Sequence, residues 1–205
     1  MDWPNLRKYE LENKNIPINE DEKRIVFMGD SITEFWKERD SDFFNSNSYI
    51  NRGISGQTTS QMLLRFRQDV IELKPYAVII LAGINDIAEN TGPISIENSF
   101  GNIVSMVELA KSNNIKIILS SILPADRFPW RPDIKPVEKI TQFNKMLLQY
   151  AKENNLIYID YYSEMVDSEK GLDKKFTKDR VHPNLAGYKI MRPLVEEAIE
   201  KAKNN

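Results

Sequence analysis

The chain of 205 residues has no cysteine and a single histidine. Without cysteine there are no disulfides and no thiolate metal sites, and thiol usage says nothing about the redox compartment. With one imidazole, His182, only carboxylate-rich metal sites are left, so no metal site is expected. No apolar run approaches the ~18 residues that a membrane span needs. The N-terminus, Met1-Asp2-Trp3-Pro4, lacks the apolar core of an export signal. As it stands the sequence reads as cytoplasmic, and an exported protein whose signal had been removed would read the same. An excess of one charge is also missing. With 28 basic and 30 acidic residues, there is no basic stripe for nucleic acid and no charged tail. What is present is 41% hydrophobic and 28% charged residues, the composition of a soluble globular protein of one domain.

Residues 1–24 are polar, with Trp3, Leu6, Tyr9 and Leu11 spaced like one loose helical face. They predict a helix or arm lying on a domain formed by residues 25–205. From Ile25 onward, short apolar runs alternate with helical periods. Ile25–Met28, Tyr49-Ile50, Ala77–Ala82, Ile115–Leu119 and Leu156–Ile159 read as strands. Runs apolar on both faces fit a parallel sheet covered by helices. Between and after them, Met62 to Leu73, Ile96 to Val107, Ile140 to Ala151 and Gly187 to Ala198 carry helical spacing. The alternation predicts an α/β three-layer α/β/α sandwich, flavodoxin-like, with a central five-stranded parallel sheet. The expected strand order is 2-1-3-4-5.

Three of the predicted strand ends carry polar motifs. Gly29-Asp30-Ser31 follows the first, Gly53-Ile54-Ser55-Gly56 the second and Gly83-Ile84-Asn85-Asp86 the third. Open parallel sheets bind ligands beyond the carboxyl ends of their strands. A serine at such a turn can be a nucleophile, or Asp30 or Ser31 can simply cap the helix that follows. The glycines can serve a turn, or aim a backbone N–H at a developing oxyanion. Asn85 can make an Asx-turn or donate its amide to the same oxyanion, while Asp86 reads as a cap or turn residue. Asp179 precedes His182 by three residues, close enough to orient the ring and leave its second nitrogen free for Ser31.

Together these motifs resemble those of the SGNH hydrolases, also called GDSL esterases or lipases. The four marker residues correspond to Ser31, Gly56, Asn85 and His182, in the family's chain order, and Asp179 corresponds to its acid. The likeness spans residues 25 to about 200 and is greatest to the platelet-activating-factor acetylhydrolase and lysophospholipase-like branch. Ile32 stands where the family name implies leucine, and Gly53 competes with Gly56 for the glycine role. The resemblance implies a catalytic triad of Ser31, His182 and Asp179. It implies an oxyanion hole from the N–H groups of Ser31 and Gly56 with the amide of Asn85, and no metal or organic cofactor.

Substrate is less legible. The loop Pro124 to Pro136 carries Arg127, Trp130 and Arg131, which suit a sugar or another polar leaving group, unless the loop is ordinary surface. No segment is left over for an apolar lid. The expectation is a short acyl group, acetyl, on a carbohydrate or small alcohol. A lysophospholipase or thioesterase is the alternative, followed by a non-catalytic flavodoxin-like binding module or scaffold. A homodimer is left open.

Overall fold

A computed structural model describes residues 1–17 and 23–204. Five parallel strands form one sheet: β1 (Ile25–Gly29), β2 (Tyr49–Gly53), β3 (Ala77–Leu81), β4 (Lys116–Ser120) and β5 (Ile157–Ile159). Their order is β2-β1-β3-β4-β5, the predicted one. β1 and β3 are buried along their whole length, as double-sided helix cover requires. The helices are α1 (Arg7–Asn15), α2 (Ser31–Arg39), α3 (Ser41–Asn45), α4 (Thr59–Asp69) and α5 (Ile84–Ile87). They continue with α6 (Ile96–Ser112), α7 (Val137–Glu153), α8 (Tyr161–Met165) and α9 (Leu185–Asn204). α4 packs on α6 and α6 on α7, while α2 and α8 pack on α9, giving the two outer layers.

The register places the chemistry. Gly29 pairs with Gly53 on one side and with Leu81 on the other. The carboxyl ends of β2, β1 and β3 therefore lie level, and the loops that follow them open on one edge. The fourth contributor, His182, lies in the loop that leads into α9. The Tyr188 hydroxyl of that helix donates to the Ile32 carbonyl at 2.7 Å, tying the last helix to the one that begins at Ser31. Beneath them, Trp36 stacks between Phe43 and Tyr188, with ring centroids 5.1 and 5.3 Å away.

Two elements depart from the sequence expectation. β2 runs on through Asn51 and Arg52 because each polar side chain finds partners. Asn51 Oδ1 accepts the Gly53 N–H at 2.9 Å, and Arg52 donates to Asn13 and Glu12 at 2.9 Å each. The N-terminal segment forms the helix α1 over Arg7–Asn15 and does not dock by an apolar face. Leu11 is 72% exposed, and α1 buries no residue. Polar contacts hold it instead: the Tyr9 hydroxyl donates to the Gly53 carbonyl, and Gln57 and Gln68 donate to the carbonyls of Pro4 and Leu6 at 2.7 Å. Part of the predicted 1–24 segment, residues 18–22, lies outside the described residues.

Candidate active site

β1 stops at Gly29, and Asp30 caps α2 by accepting the Ile32 N–H at 2.9 Å. Ser31 is thus the first residue of the helix, with its N–H at the positive end of the helix dipole. Its hydroxyl lies 2.9 Å from His182 Nε2. On the other side of the ring, Nδ1 lies 2.6 Å from Asp179 Oδ2. Asp179 Oδ1 accepts two further N–H groups, from His182 at 2.8 Å and Val181 at 3.0 Å. Burial alone would raise the Asp179 pKa, but the hydrogen bonds from His182 and Val181 outweigh it and bring the carboxyl down to about 2. An ionised carboxylate only accepts, so Nδ1 carries the ring proton and Nε2 is left to accept from Ser31.

The loop bearing the histidine is braced at both ends. Thr177 Oγ1 accepts the Arg180 N–H at 3.0 Å and donates to the His182 carbonyl at 2.8 Å. Arg180, between the acid and the histidine, has φ +72°. Its side chain reaches away to Asp126 at 2.9 Å and Asp167 at 2.6 Å, which offsets the backbone strain of a left-handed residue.

The loop after β2 separates its two glycines. Gly53 presses against the start of α2: a Cβ there would lie 2.1 Å from the Glu34 nitrogen. Its N–H is spent on Asn51. Gly56 has φ +77° and open space where a Cβ would be, and its N–H donates to no partner among the described residues. Gly56 lines a pocket of about 270 Å³ with Ser31, Ser55, Asn85, Asn90, Trp130 and His182. Below the loop, buried Arg65 donates to Gln57 at 2.6 Å, Asp69 at 2.9 Å and the Gly29 carbonyl at 3.0 Å, fixing it to the end of β1.

Asn85 sits on α5, one turn beyond β3. Its Nδ2 donates to the Gln57 carbonyl at 3.0 Å, and its Oδ1 accepts from Asn90 Nδ2 at 2.8 Å. Asp86 does serve as a cap, though of a different helix: it accepts the Thr59 N–H at 2.9 Å and its hydroxyl at 2.6 Å, at the start of α4. Burial raises the pKa of Asp86, and raises that of Asp30 to about 7.

Of the three residues singled out in the 124–136 loop, Trp130 reaches the pocket, its ring 6.0 Å from the imidazole. Arg127 is exposed and 3.6 Å from Asp126. Arg131 turns to Glu89, donating to its carbonyl at 3.2 Å. Asn90, Ser55 and Phe35, whose ring lies 5.5 Å from the imidazole, complete the surroundings; Asn90 and Phe35 stand outside the motifs, and Ser55 lies within the second without having been singled out. Among the described residues no group of three or more His, Asp or Glu side chains could hold a metal ion. No described helix is long and apolar enough to cross a membrane.

Residues 27–190 match the GDSL-like Lipase/Acylhydrolase family. The chain is 30% identical to human platelet-activating factor acetylhydrolase IB subunit alpha2 over 185 residues, covering 85% of this chain and 76% of that protein. It is 27% identical to the acetylxylan esterase of Geobacillus stearothermophilus over 200 residues, covering 82% and 90%. A crystal structure of a GDSL-like lipase from Bacteroides thetaiotaomicron superposes with a TM-score of 0.95 at 51% identity, over 97% of this chain and 98% of that one. The chain belongs to the GDSL-like lipase/acylhydrolase family and is a serine hydrolase of ester bonds.

Proposed function

We propose that this esterase removes a short acyl group, acetyl, from a carbohydrate or small polar alcohol, through an acyl-enzyme on Ser31. Ser31 Oγ attacks the ester carbonyl while its proton passes to His182 Nε2. Asp179 holds the imidazole and stabilises the imidazolium that forms. The carbonyl oxygen, now negative, is met by the N–H groups of Ser31 and Gly56 and by the Asn85 amide. Collapse of the tetrahedral intermediate breaks the bond to the leaving oxygen, which takes the proton from His182. Water, activated by the same imidazole, then releases the acid and restores Ser31.

The observation that carries the acyl-length reading is the pocket wall. Around Ser31 it offers hydroxyl, amide and backbone groups with the His182 imidazole and one indole, and no aliphatic side chain. What apolar surface the site has is the Trp130 ring with Phe35 nearby, with no aliphatic groove for a long acyl tail, and the Trp130 face and the amides suit a sugar-like alcohol. The names of the human and Geobacillus relatives both specify acetyl groups, in keeping with this reading. Measuring kcat/KM for acetyl, butyryl, octanoyl and palmitoyl esters of one alcohol tests it. The acetyl ester should be hydrolysed fastest. A buried methylene is worth about 0.8 kcal/mol, or roughly fourfold, so an apolar groove would show as a steady climb with chain length. That climb would favour the lysophospholipase or thioesterase reading.

A further inference from the structure

Asn90 belongs to none of the motifs, yet its side chain touches three parts of the site. Its Oδ1 accepts the Trp130 Nε1–H at 3.0 Å. Its Nδ2 donates to Asn85 Oδ1 at 2.8 Å and lies 3.4 Å from the Gly56 carbonyl. Residues five apart on a regular helix would point about 140° apart. Here α5 ends after four residues, and Glu89 takes a left-handed φ of +56°. The chain folds back so that the Asn90 N–H donates to the Asn85 carbonyl at 3.0 Å. Glu89 is held in that turn by Arg131, through its carbonyl at 3.2 Å and its carboxylate at 3.5 Å.

The order of donors along this chain is forced. An indole N–H can only donate, so the Asn90 oxygen faces Trp130 and the Asn90 amide nitrogen faces Asn85. The Asn85 oxygen must then face Asn90. The Asn85 nitrogen is left for the Gln57 carbonyl with one hydrogen and for the pocket with the other. We propose that Asn90 is a positioning residue that holds Asn85 with its donor toward the oxyanion, and that the Trp130 N–H sets the sense of Asn90. Trp130 is 41% exposed and lines the pocket, so the residue that meets the substrate is also the first link to the oxyanion donor. This inference rests on the reading of Asn85 as that donor.

A double-mutant cycle on one acetyl ester tests it, with kcat and KM measured for wild type, Asn85→Ala, Asn90→Ala and the double variant, and folding checked by thermal unfolding. Asn90→Ala should lower kcat by about tenfold with little change in KM, because the hydrogen bond it prepares forms mainly in the transition state. In the Asn85→Ala background the same change should alter kcat by less than about twofold, the scatter of ordinary additivity. Equal loss in both backgrounds, or no loss in the first, overturns the proposal. If Asn85→Ala itself leaves kcat intact, the oxyanion reading fails and takes this inference with it. Two further variants keep the test open should Asn90→Ala fail to fold. Asn90→Asp retains the bond to Trp130 but faces Asn85 with an acceptor; its kcat should fall, and wild-type kcat would contradict the role. Trp130→Phe keeps an aromatic ring and removes the N–H. It should lower kcat, whereas a rise in KM alone would make Trp130 only a substrate contact.

Discussion

Asp30 and Asp179 are two carboxylates at one site held in opposite environments. Asp30 is buried with one oxygen lacking a partner among the described residues, and its pKa rises to about 7. Asp179 falls to about 2. The signs differ accordingly. Between its reference value of 3.8 and about 7, folded Asp30 holds a proton that the unfolded chain releases, so its stabilising share is lost as pH rises through that window. Asp179 contributes stability above 3.8 that is lost as pH falls toward about 2. It stays ionised wherever the enzyme is assayed near neutrality, so it accepts from the imidazole throughout that range. Asn in place of Asp30 keeps the cap to Ile32 and stays neutral. The melting temperature of Asp30→Asn should therefore gain on wild type as pH rises from about 4 to about 7. A gap that does not change with pH would mean Asp30 does not titrate there. Ser31→Ala should lower kcat at least ~10³-fold in a folded protein. Asn85→Ala should lower it roughly 10²-fold with a smaller change in KM. A rise in KM alone would make Asn85 a substrate ligand.

At the scale of elements, the close fit of β2 to α2 depends on Gly53. A methyl group there would meet backbone, which cannot rotate away. Gly53→Ala should cost ~1–3 kcal/mol, which for a protein of this size lowers the melting temperature by about 2–4 °C per kcal/mol. An unchanged melting curve would show that the strand end can shift freely. The same elements explain what could be read in the sequence. β1 and β3 were legible because burial on both faces makes continuous apolar runs. The second half of β2 was not, because Asn51 and Arg52 are buried by pairing with residues distant in sequence. The proposed site was legible because Asp179 and His182 are three apart on one loop, while Ser31 and Asn85 each follow a strand end within a few residues. Asn90 was hidden because it reaches Asn85 through a left-handed turn that no helical or strand period anticipates. Arg127 and Arg131 had the chemistry for a substrate, but nothing in the sequence foretold that Asp126 and Glu89 would face them.

Across the whole molecule, one geometric fact does most to make a site: three strand ends lie level at Gly53, Gly29 and Leu81. Each following loop then delivers one polar group to one edge, and the loop before α9 brings His182 there from the far end of the sequence. Such a site should react as a unit. A fluorophosphonate demands an activated serine, a base and donors for the phosphoryl oxygen at once. The measurement that tests the account most directly is peptide mapping of the protein after treatment with such a probe. A single phosphonylated residue, Ser31, is predicted, formed at least ~10²-fold more slowly when His182 is replaced by alanine. Labelling at another serine, or labelling of Ser31 at the same rate without His182, would contradict it.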